Sequence, residues 1–451
     1  MKVDMVVSKG KVVIPRIGVK KQNIAVAEGK IVGLLDPSLP VEADLFIDAK
    51  GNYVLPGVIE PHAHIGDKDY LTETKSAAIG GVTTVLNHVR DVNSDDYDAL
   101  YGKIKGMCEK QAYVDFSVHF GLITQTHLNN LDKYINKFGV TSFKFFMNYR
   151  GEEGKHVGVI DGIDDGFMFD CFLALGKYRN TPACVHAENI EIGWYLRTKL
   201  QKAGRSDLLA WEENKPDFTE AEAIRRALYL GEIANCPIYI VHLSSKKGLD
   251  EIREYRNRYR KICVETCPHY LTLTSDSEIG VLGKTSPPLR YKEDVEALWQ
   301  AVADGMIDTI GSDHVPRKKA TKSGTIWEAS GGYPGVATLL PILLSEGFHK
   351  RGITIERIVE LTSYNVAKAF NLYPQKGTIE VGADADFTIV DLDLEKEVRW
   401  NELLSLSDYS IYEGWKLKGW PIVTIVRGKV VMENGEIRGE QGYGKFIPRF
   451  Q

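Results

Sequence analysis

The feature that most constrains the fold is an alternation of short apolar, β-like runs with amphipathic segments through the middle of the chain. The eight runs are "YVLPGVIE" (53–60), "GVTTVLNH" (81–88), "YVDFSVHFG" (113–121), "TSFKFFM" (141–147), "PACVHA" (182–187), "PIYIVHLS" (237–244), "KICVETC" (261–267) and "MIDTIGSD" (306–313). Strand–helix alternation is typical of a parallel sheet. Eight such units over about 260 residues match a (β/α)8 barrel. We predict an α/β fold with a TIM-like barrel rather than an open doubly wound sheet, because no glycine-rich phosphate turn follows the first run.

The two ends of the chain have a different pattern. Residues 1–52 and 377–437 hold hydrophobic runs broken by Gly, Asp or Asn, which is typical of β-hairpins. A chain of 451 residues is also long for one core. We therefore predict a β-sandwich domain built from both termini (1–53 plus 376–451), with the barrel (54–375) inserted between its halves. The amphipathic helical candidates are 96–110, 166–179, 219–234, 246–258 and 291–304, followed by 336–347 and 354–371.

Composition excludes several classes of partner. The net charge is -5 and no basic stripe is present, which argues against nucleic acid. No run approaches the roughly 20 apolar residues of a membrane span, and the start "MKVDMVVSKGKVVIP" lacks a signal-peptide core. We expect a cytoplasmic protein. Its cysteines form no metal-binding pattern, so all six are expected to be free, mostly buried thiols.

Metal-binding residue types stand at the ends of five of the predicted strands. His62 and His64 are one residue apart, so their imidazoles share a face and form half of a metal site. In a barrel, active sites form at the carboxyl ends of the strands. The residues that meet there are His62, His64, Lys144, His186, His242 and Asp313.

Lys144 is unusual in this set because an ammonium cannot bind a cation and is costly to bury in "SFKFF". A neutral amine, however, reacts with carbon dioxide to give a carbamate, whose two oxygens can bridge two metals. The alternative is that Lys144 forms a salt bridge with a neighbouring residue.

The chain resembles the amidohydrolase superfamily, and within it the cyclic amidohydrolases: hydantoinases, dihydropyrimidinases, allantoinases and dihydroorotases. The resemblance covers nearly the whole chain. It rests on "HAH" (62–64), on the ligand types at the strand ends, and on "CPHYL" (267–271), "KTSPPLR" (284–290), "GSDHVP" (311–316) and "KGTIEVGADADFTIVD" (376–391).

This resemblance implies two divalent metal ions, usually zinc, bridged by a carboxylated Lys144 and a hydroxide. His62 and His64 with Asp313 would hold one metal, and His186 with His242 the other. The hydroxide would attack the carbonyl of a cyclic amide. Asp313 would take its proton and pass it to the leaving nitrogen.

Further residues bear on the substrate. Tyr149 has the spacing from Lys144 of a hydantoinase tyrosine that binds the oxyanion, and Ser286 resembles the serine whose backbone meets the ring amide. Gly331 and Gly332 stand where the family has a substrate loop, and Gly331 replaces the usual Asn. Glu60 stands where Asp is usual and would act as an outer-shell carboxylate. We expect a hydantoin or dihydropyrimidine type of ring.

Several alternatives stay open at this stage. The stretch "WEASGG" favours an allantoinase, whereas Tyr149 favours a hydantoinase. A dihydroorotase fits less well, because Ile65 replaces the arginine that binds the substrate carboxylate and only Arg90 is a nearby substitute. Two further alternatives are a hydrolase of linear N-acyl or carbamoyl substrates and a non-catalytic scaffold of the same fold. The loop 149–166 has no P-loop motif and is a lid or a plain surface loop. A homo-oligomer, tetramer or dimer, is implied by the resemblance.

Overall fold

The computed structural model describes residues 2–90, 96–151, 154 and 163–450. Most of the stretch 149–166, and with it the question of a lid, lies outside this range. The chain divides into two compact units. The first comprises Met1–Leu86, Ile104–Ser117 and Gly335–Ile447, and the second comprises Asn87–Lys103, Val118–Pro334 and Pro448–Gln451.

The N-terminal part of the first unit is entirely β. Its strands are β1 (Lys2–Ser8), β2 (Lys11–Ile14), β3 (Gly18–Lys21), β4 (Asn23–Ala27), β5 (Lys30–Leu35), β6 (Glu42–Asp48) and β7 (Tyr53–Pro56). Four of them form a sheet in the order β5-β4-β1-β6. The pairing of β1 with β6 is parallel, and the other pairings in this sheet are antiparallel.

The middle of the chain forms an eight-stranded sheet. Its strands are β8 (Val58–Ala63), β9 (Val82–Val89), β10 (Asp115–Gly121), β11 (Phe143–Phe146), β12 (Ala183–His186), β13 (Ile238–Ile240), β14 (Ile262–Thr266) and β15 (Thr309–Ile310). Their spatial order is their chain order, and the pairings from β10 to β15 are parallel. This is the sheet of a (β/α)8 barrel, so the predicted fold class is confirmed.

The C-terminal strands complete the terminal β-structure of the first unit. They are β16 (Phe387–Glu397), β17 (Lys416–Val426), β18 (Lys429–Glu433) and β19 (Glu436–Ile437). Together with three N-terminal strands they form a sheet in the order β19-β18-β17-β16-β7-β2-β3. Side chains of both terminal sheets share one apolar core, which includes Met5, Ile24, Val54, Phe387 and Ile425. The β-sandwich built from both termini is thereby confirmed.

Helices follow most of the barrel strands. The α-helices in the described residues are Tyr70–Ile79, Asp98–Lys103, Gln125–Asn129, Leu131–Asn136, Asp165–Leu175, Ile190–Lys202, Leu208–Asn214, Asp217–Ile233, Lys246–Arg256, Lys292–Ala303, Leu339–Ile342, Ile355–Val359 and Asn365–Ala369. π-Helical turns at Ile104–Cys108, Leu343–His349 and Glu360–Tyr364 interrupt or extend them. Among the described helices, none has the length and apolar character needed to cross a bilayer.

Two of these helices, which follow strands β12 and β13, begin at side-chain caps. The Asn189 side chain accepts a hydrogen bond from Ile192 N at 3.2 Å, and Ser245 Oγ accepts one from Gly248 N at 3.1 Å. Such caps satisfy backbone groups that the first turn of a helix leaves free. They fix where the chain turns just after β12 and β13. All six cysteines are free thiols, as predicted, and only Cys263 is partly exposed.

Candidate metal centre and active site

The paired histidines of the first unit lie at the end of β8. His62 is fully buried and His64 is half-buried, and their ring centroids are 5.2 Å apart. The buried carboxylate of Glu60 accepts a hydrogen bond from the backbone N–H of His62 at 2.8 Å. Glu60 thus fixes the backbone of the pair, as an outer-shell carboxylate would.

Lys144 lies on β11 of the second unit and is almost completely buried. Burial lowers the pKa of its ammonium to about 8, although the negative charges of Asp313 and Glu265 oppose this shift. The neutral amine, which a reaction with carbon dioxide requires, is therefore far more populated near neutral pH than that of an exposed lysine.

His186 and His242 face each other directly. Their Nδ1 and Nε2 atoms, respectively, are 2.9 Å apart, and both side chains are buried. Burial lowers the pKa of His186 to about 4, against the opposing effect of Glu188, so the imidazole is neutral. Two imidazole nitrogens that face each other match the donors zinc takes from histidines, so these residues fit a divalent metal.

The backbone is strained at two of the predicted ligands. His242 has φ +41° and Asp313 has φ +49°, in the left-handed region that non-glycine residues seldom adopt. Each such residue costs about 1–3 kcal/mol, and strain of this kind clusters at functional sites. Both residues follow short strands, β13 and β15, where the chain leaves the sheet.

Glu265 on β14 supports His242 and was not predicted from the sequence. Its Oε1 accepts from the backbone N–H of His242 at 3.0 Å, and its Oε2 accepts from the Tyr239 hydroxyl at 2.8 Å. Burial raises the pKa of Glu265 to about 7, although the Tyr239 hydrogen bond and Lys144 oppose it. The signal in the sequence was one carboxylate in the apolar run "KICVETC".

Tyr149 lies beside the histidine pair. Its ring centroid is 6.0 Å from that of His186 and 5.3 Å from that of Phe146. Burial raises the pKa of its phenol, and the positive charge of Arg90 opposes this only in part. The hydroxyl therefore keeps its proton at neutral pH and is available as a hydrogen-bond donor.

The predicted substrate-loop residues come from two segments that contact each other. Gly332 N donates to the carbonyl of Lys284 at 3.0 Å, which ties the "SGGYPG" loop to the segment that carries Ser286. Gly332 has φ +83°, and a Cβ there would lie 2.6 Å from Val315 Cγ2, so this position requires glycine. Gly331 is exposed and a Cβ there would meet nothing within 4 Å, so only Gly331 leaves room for a substituent.

Two buried charged residues near His186 were also missed by the sequence analysis. Glu188 Oε2 lies 2.6 Å from His186 Nε2 and accepts from Lys215 Nζ at 3.1 Å. Lys215 Nζ also donates to Ser286 Oγ at 3.1 Å. Glu188 had a weak signal, a carboxylate two residues after a predicted ligand in "VHAEN", whereas Lys215 had none.

Comparisons with known proteins identify relatives over nearly the whole chain. The model of the amidohydrolase family matches residues 239–431. The chain is 35% identical to an L-hydantoinase of Paenarthrobacter aurescens, over 96% of this chain and 95% of the relative. It is 33% identical to a D-hydantoinase of Ralstonia pickettii, over 99% of both. A solved structure of the L-hydantoinase (dihydropyrimidinase) from Arthrobacter aurescens superposes with a TM-score of 0.92 at 33% identity, covering 99% of this chain and 100% of that one.

Proposed function

We propose that this chain, which belongs to the amidohydrolase family and is a cyclic amidohydrolase of hydantoinase and dihydropyrimidinase type, opens an uncharged five- or six-membered ring at its amide bond. The observation that carries the proposal is the facing pair His186 and His242, beside a buried Lys144 and the protonated phenol of Tyr149. A non-catalytic scaffold would have no use for these groups.

Two divalent metal ions, zinc by preference, would be held by six side chains. His62 and His64 with Asp313 would bind one ion, and His186 with His242 the other. Lys144, as a carbamate, would complete this set of ligands. When bound, such a pair of ions polarises the amide carbonyl and lowers the pKa of water enough to provide a nucleophile near neutral pH.

The remaining steps fall to side chains of this chain. The Asp313 carboxylate accepts the proton of the attacking water and then delivers it to the ring nitrogen as the C–N bond breaks. The Tyr149 hydroxyl donates to the oxygen on which negative charge develops. The backbone of Ser286 holds the ring amide, and Gly331 leaves space for a ring substituent.

The residue after His64 bears on whether the substrate carries a charge. Ile65, which follows His64, is a buried aliphatic residue and cannot pair with a carboxylate on the ring. Arg90 is a cation whose charge acts on Tyr149, and its guanidinium lies 5.4 Å from the Phe146 ring centroid. We therefore rank hydantoin and dihydrouracil above dihydroorotate, with allantoin as the second candidate because of "WEASGG".

The domain organisation and the oligomeric state are also proposed from the family to which the chain belongs. We propose that residues 1–53 plus 376–451 form the β-sandwich domain, extended to Pro56 by strand β7, and that the rest of 54–375 forms the barrel domain. We also propose that the protein is a cytoplasmic homo-oligomer. Light scattering coupled to size-exclusion chromatography measures the assembly, and a monomer at micromolar concentration would contradict it.

The substrate class is tested with one panel of rings. We measure kcat/KM of the zinc-loaded protein for hydantoin, dihydrouracil, allantoin and dihydroorotate in one buffer. We expect one of the first two to have the highest value. Loss of a charge-assisted hydrogen bond costs about 1.5–3 kcal/mol, so dihydroorotate should be roughly ten- to a hundredfold slower. A tenfold preference for dihydroorotate would refute the charge argument and direct attention to Arg90, and a preference for allantoin would reverse our ranking.

A further inference from the structure

A continuous chain of polar contacts runs from the substrate segment to the histidine pair within the second unit. Ser286 Oγ accepts from Lys215 Nζ at 3.1 Å, and Lys215 Nζ donates to Glu188 Oε2 at 3.1 Å. The same carboxylate oxygen lies 2.6 Å from His186 Nε2, and His186 Nδ1 faces His242. We call Ser286, Lys215, Glu188 and His186 the relay.

The relay is buried except at its substrate end. Glu188 and Lys215 are 1% and 5% exposed, and His186 is 4% exposed, whereas Ser286 is half-buried. Buried charges persist in proteins when they are paired and hydrogen-bonded. Lys215 and Glu188 form a buried ion pair, and each also contacts a residue with a proposed role in the site.

The chemistry at the inner end of the relay favours one orientation of His186. A histidine that binds a metal through one ring nitrogen generally donates its other N–H to a carboxylate or carbonyl. The Nε2 atom of His186 meets Glu188 and its Nδ1 atom faces His242, so the tautomer with hydrogen on Nε2 leaves Nδ1 free as a ligand. Lys215 Nζ donates to the same Glu188 oxygen, so this carboxylate is held between the ammonium and the imidazole.

The outer end of the relay leaves the Ser286 backbone available. Because the Oγ atom is engaged by Lys215, the side chain of Ser286 is fixed and its backbone is what the segment can present. Trp211 reinforces this arrangement, since its Nε1 atom donates to the Thr285 carbonyl at 2.6 Å and the Lys215 ammonium lies 5.2 Å from its ring. Arg290 donates to the carbonyl of Lys215 and holds its backbone.

We propose that Lys215 and Glu188 are positioning residues that link the substrate segment at Ser286 to the metal ligand His186. The link means that one buried cation serves two tasks: it holds the Glu188 carboxylate against His186, and it holds the segment that meets the ring. This inference rests on the proposed function for its substrate half, whereas its metal half depends only on zinc binding.

The first test is zinc affinity, measured on the full-length protein by competition with a chromophoric chelator. Outer-shell partners of metal ligands typically change affinity by about 10- to 100-fold. Glu188→Gln and Lys215→Met should each weaken the more loosely held zinc by about tenfold or more, and Lys215→Arg should recover part of the loss because it keeps the cation. Lys322→Met is the matched control, since Lys322 is buried in the same unit but donates to the Lys284 carbonyl.

The second test separates the two ends of the relay. With hydantoin as the probe substrate and zinc at saturation, Lys215→Met should raise KM more than Glu188→Gln does, because only Lys215 contacts Ser286. The double variant Lys215→Met/Glu188→Gln should lose less zinc affinity than the sum of the single changes, since both act through one carboxylate.

The zinc affinities of the variants decide whether the relay positions His186. Zinc affinities of Lys215→Met and Glu188→Gln within twofold of the parent would overturn the proposal. If Lys215→Met fails to fold, the near-isosteric Glu188→Gln and the rescue variant Lys215→Arg carry the same test. If no cyclic amide is hydrolysed but the zinc shifts occur, the proposed function fails while the metal half of the relay stands.

Discussion

The proposed metal centre depends most on Lys144, the one side chain that must change chemically before it can bind a metal. Lys144→Ala should lose zinc and hydrolase activity together, because it removes the amine that the carbamate ligand requires. Added short-chain carboxylic acids should restore part of the rate. Zinc content and hydantoin turnover, with and without propionate, measure both effects, and the exposed Lys246→Ala is the control.

A direct measurement complements that variant. Intact-mass spectrometry or ¹³C NMR of protein loaded with zinc and labelled carbon dioxide should show a carbamate on Lys144. A bare amine in protein that holds two full zinc equivalents would contradict the assignment.

Asp313 is predicted to act on the proton rather than on substrate affinity. Asp313→Asn keeps the size of the side chain but removes the base, and proton transfer of this kind contributes about 10²- to 10⁴-fold to the rate. We expect kcat to fall by that order with KM within a fewfold of the parent value. If KM rises while kcat is retained under zinc saturation, Asp313 is a binding residue and the proposed role is wrong.

At the scale of single residues, the sequence offered candidate ligands but not the residues that support them. The ligand types could be recognised because each follows a strand of a predicted barrel. Lys215 could not, since it contacts Glu188, 27 residues away, and Ser286, 71 residues away. Contacts of this kind depend on how loops meet in space, which neither periodicity nor local spacing encodes.

At the scale of elements, strand β11 divides its aromatic residues between two sides. Phe145 packs edge-on against Phe172 at 5.2 Å, whereas Phe146, two residues from Lys144, lies 5.3 Å from the Tyr149 ring. Phe146→Leu should therefore raise KM for 5-phenylhydantoin up to about tenfold, since aromatic pairs contribute roughly 0.5–1.5 kcal/mol.

Phe145→Leu is the matched control for this element. It should lower the melting temperature and leave the ratio of KM values for 5-phenylhydantoin and hydantoin unchanged. If Phe145→Leu shifts that ratio as much as Phe146→Leu does, then the alternation of β11 does not decide which side chain lines the site.

Two elements differ from those predicted from the sequence. All eight predicted runs contain barrel strands, but the first, 53–60, is two strands, β7 and β8, in different sheets. Pro56 and Gly57 stand at this break and are a turn signal that the prediction of a single strand passed over. A Cβ at Gly57 would lie 2.2 Å from Thr83 Oγ1, so the close approach of the two segments requires glycine. The helix Ile190–Lys202 was missed because it buries only Ile190 and Gly193, which is too little for an apolar periodicity.

At the scale of the whole chain, the union of the two termini was predicted but its register was not. Strand β7 pairs with β16 so that Pro56 is opposite Phe387. The two ends share a hairpin-rich style, which suggested one domain, but register over such a separation depends on side-chain packing across sheets. Ion pairs in this unit also join residues far apart in the sequence, such as Asp115 and Lys376, and could not be predicted from it.

Lys376 is the centre of that hidden network. Its ammonium lies 2.8 Å from Asp115, 3.1 Å from Asp384 and 2.7 Å from Asp386, and all four side chains are buried. The three carboxylates are close enough to resemble a cation site, but the ammonium already neutralises them. Arg427 adds a second cation at Asp115, 3.0 Å away.

Replacing Lys376 by Met should destabilise the protein strongly, because it leaves buried carboxylates without their shared cation. Removal of one partner from a buried ion pair costs about 3–5 kcal/mol, whereas an exposed pair contributes about 0–1 kcal/mol. The matched control is Lys30→Met, since Lys30 binds the same Asp384 at 2.6 Å but is 45% exposed. Urea unfolding measures both, and we expect the free energy of unfolding to fall by several kcal/mol for Lys376→Met and by less than about one for Lys30→Met. Equal losses in the two variants would mean that the carboxylates are stabilised by the field of the whole cluster rather than by the buried ammonium.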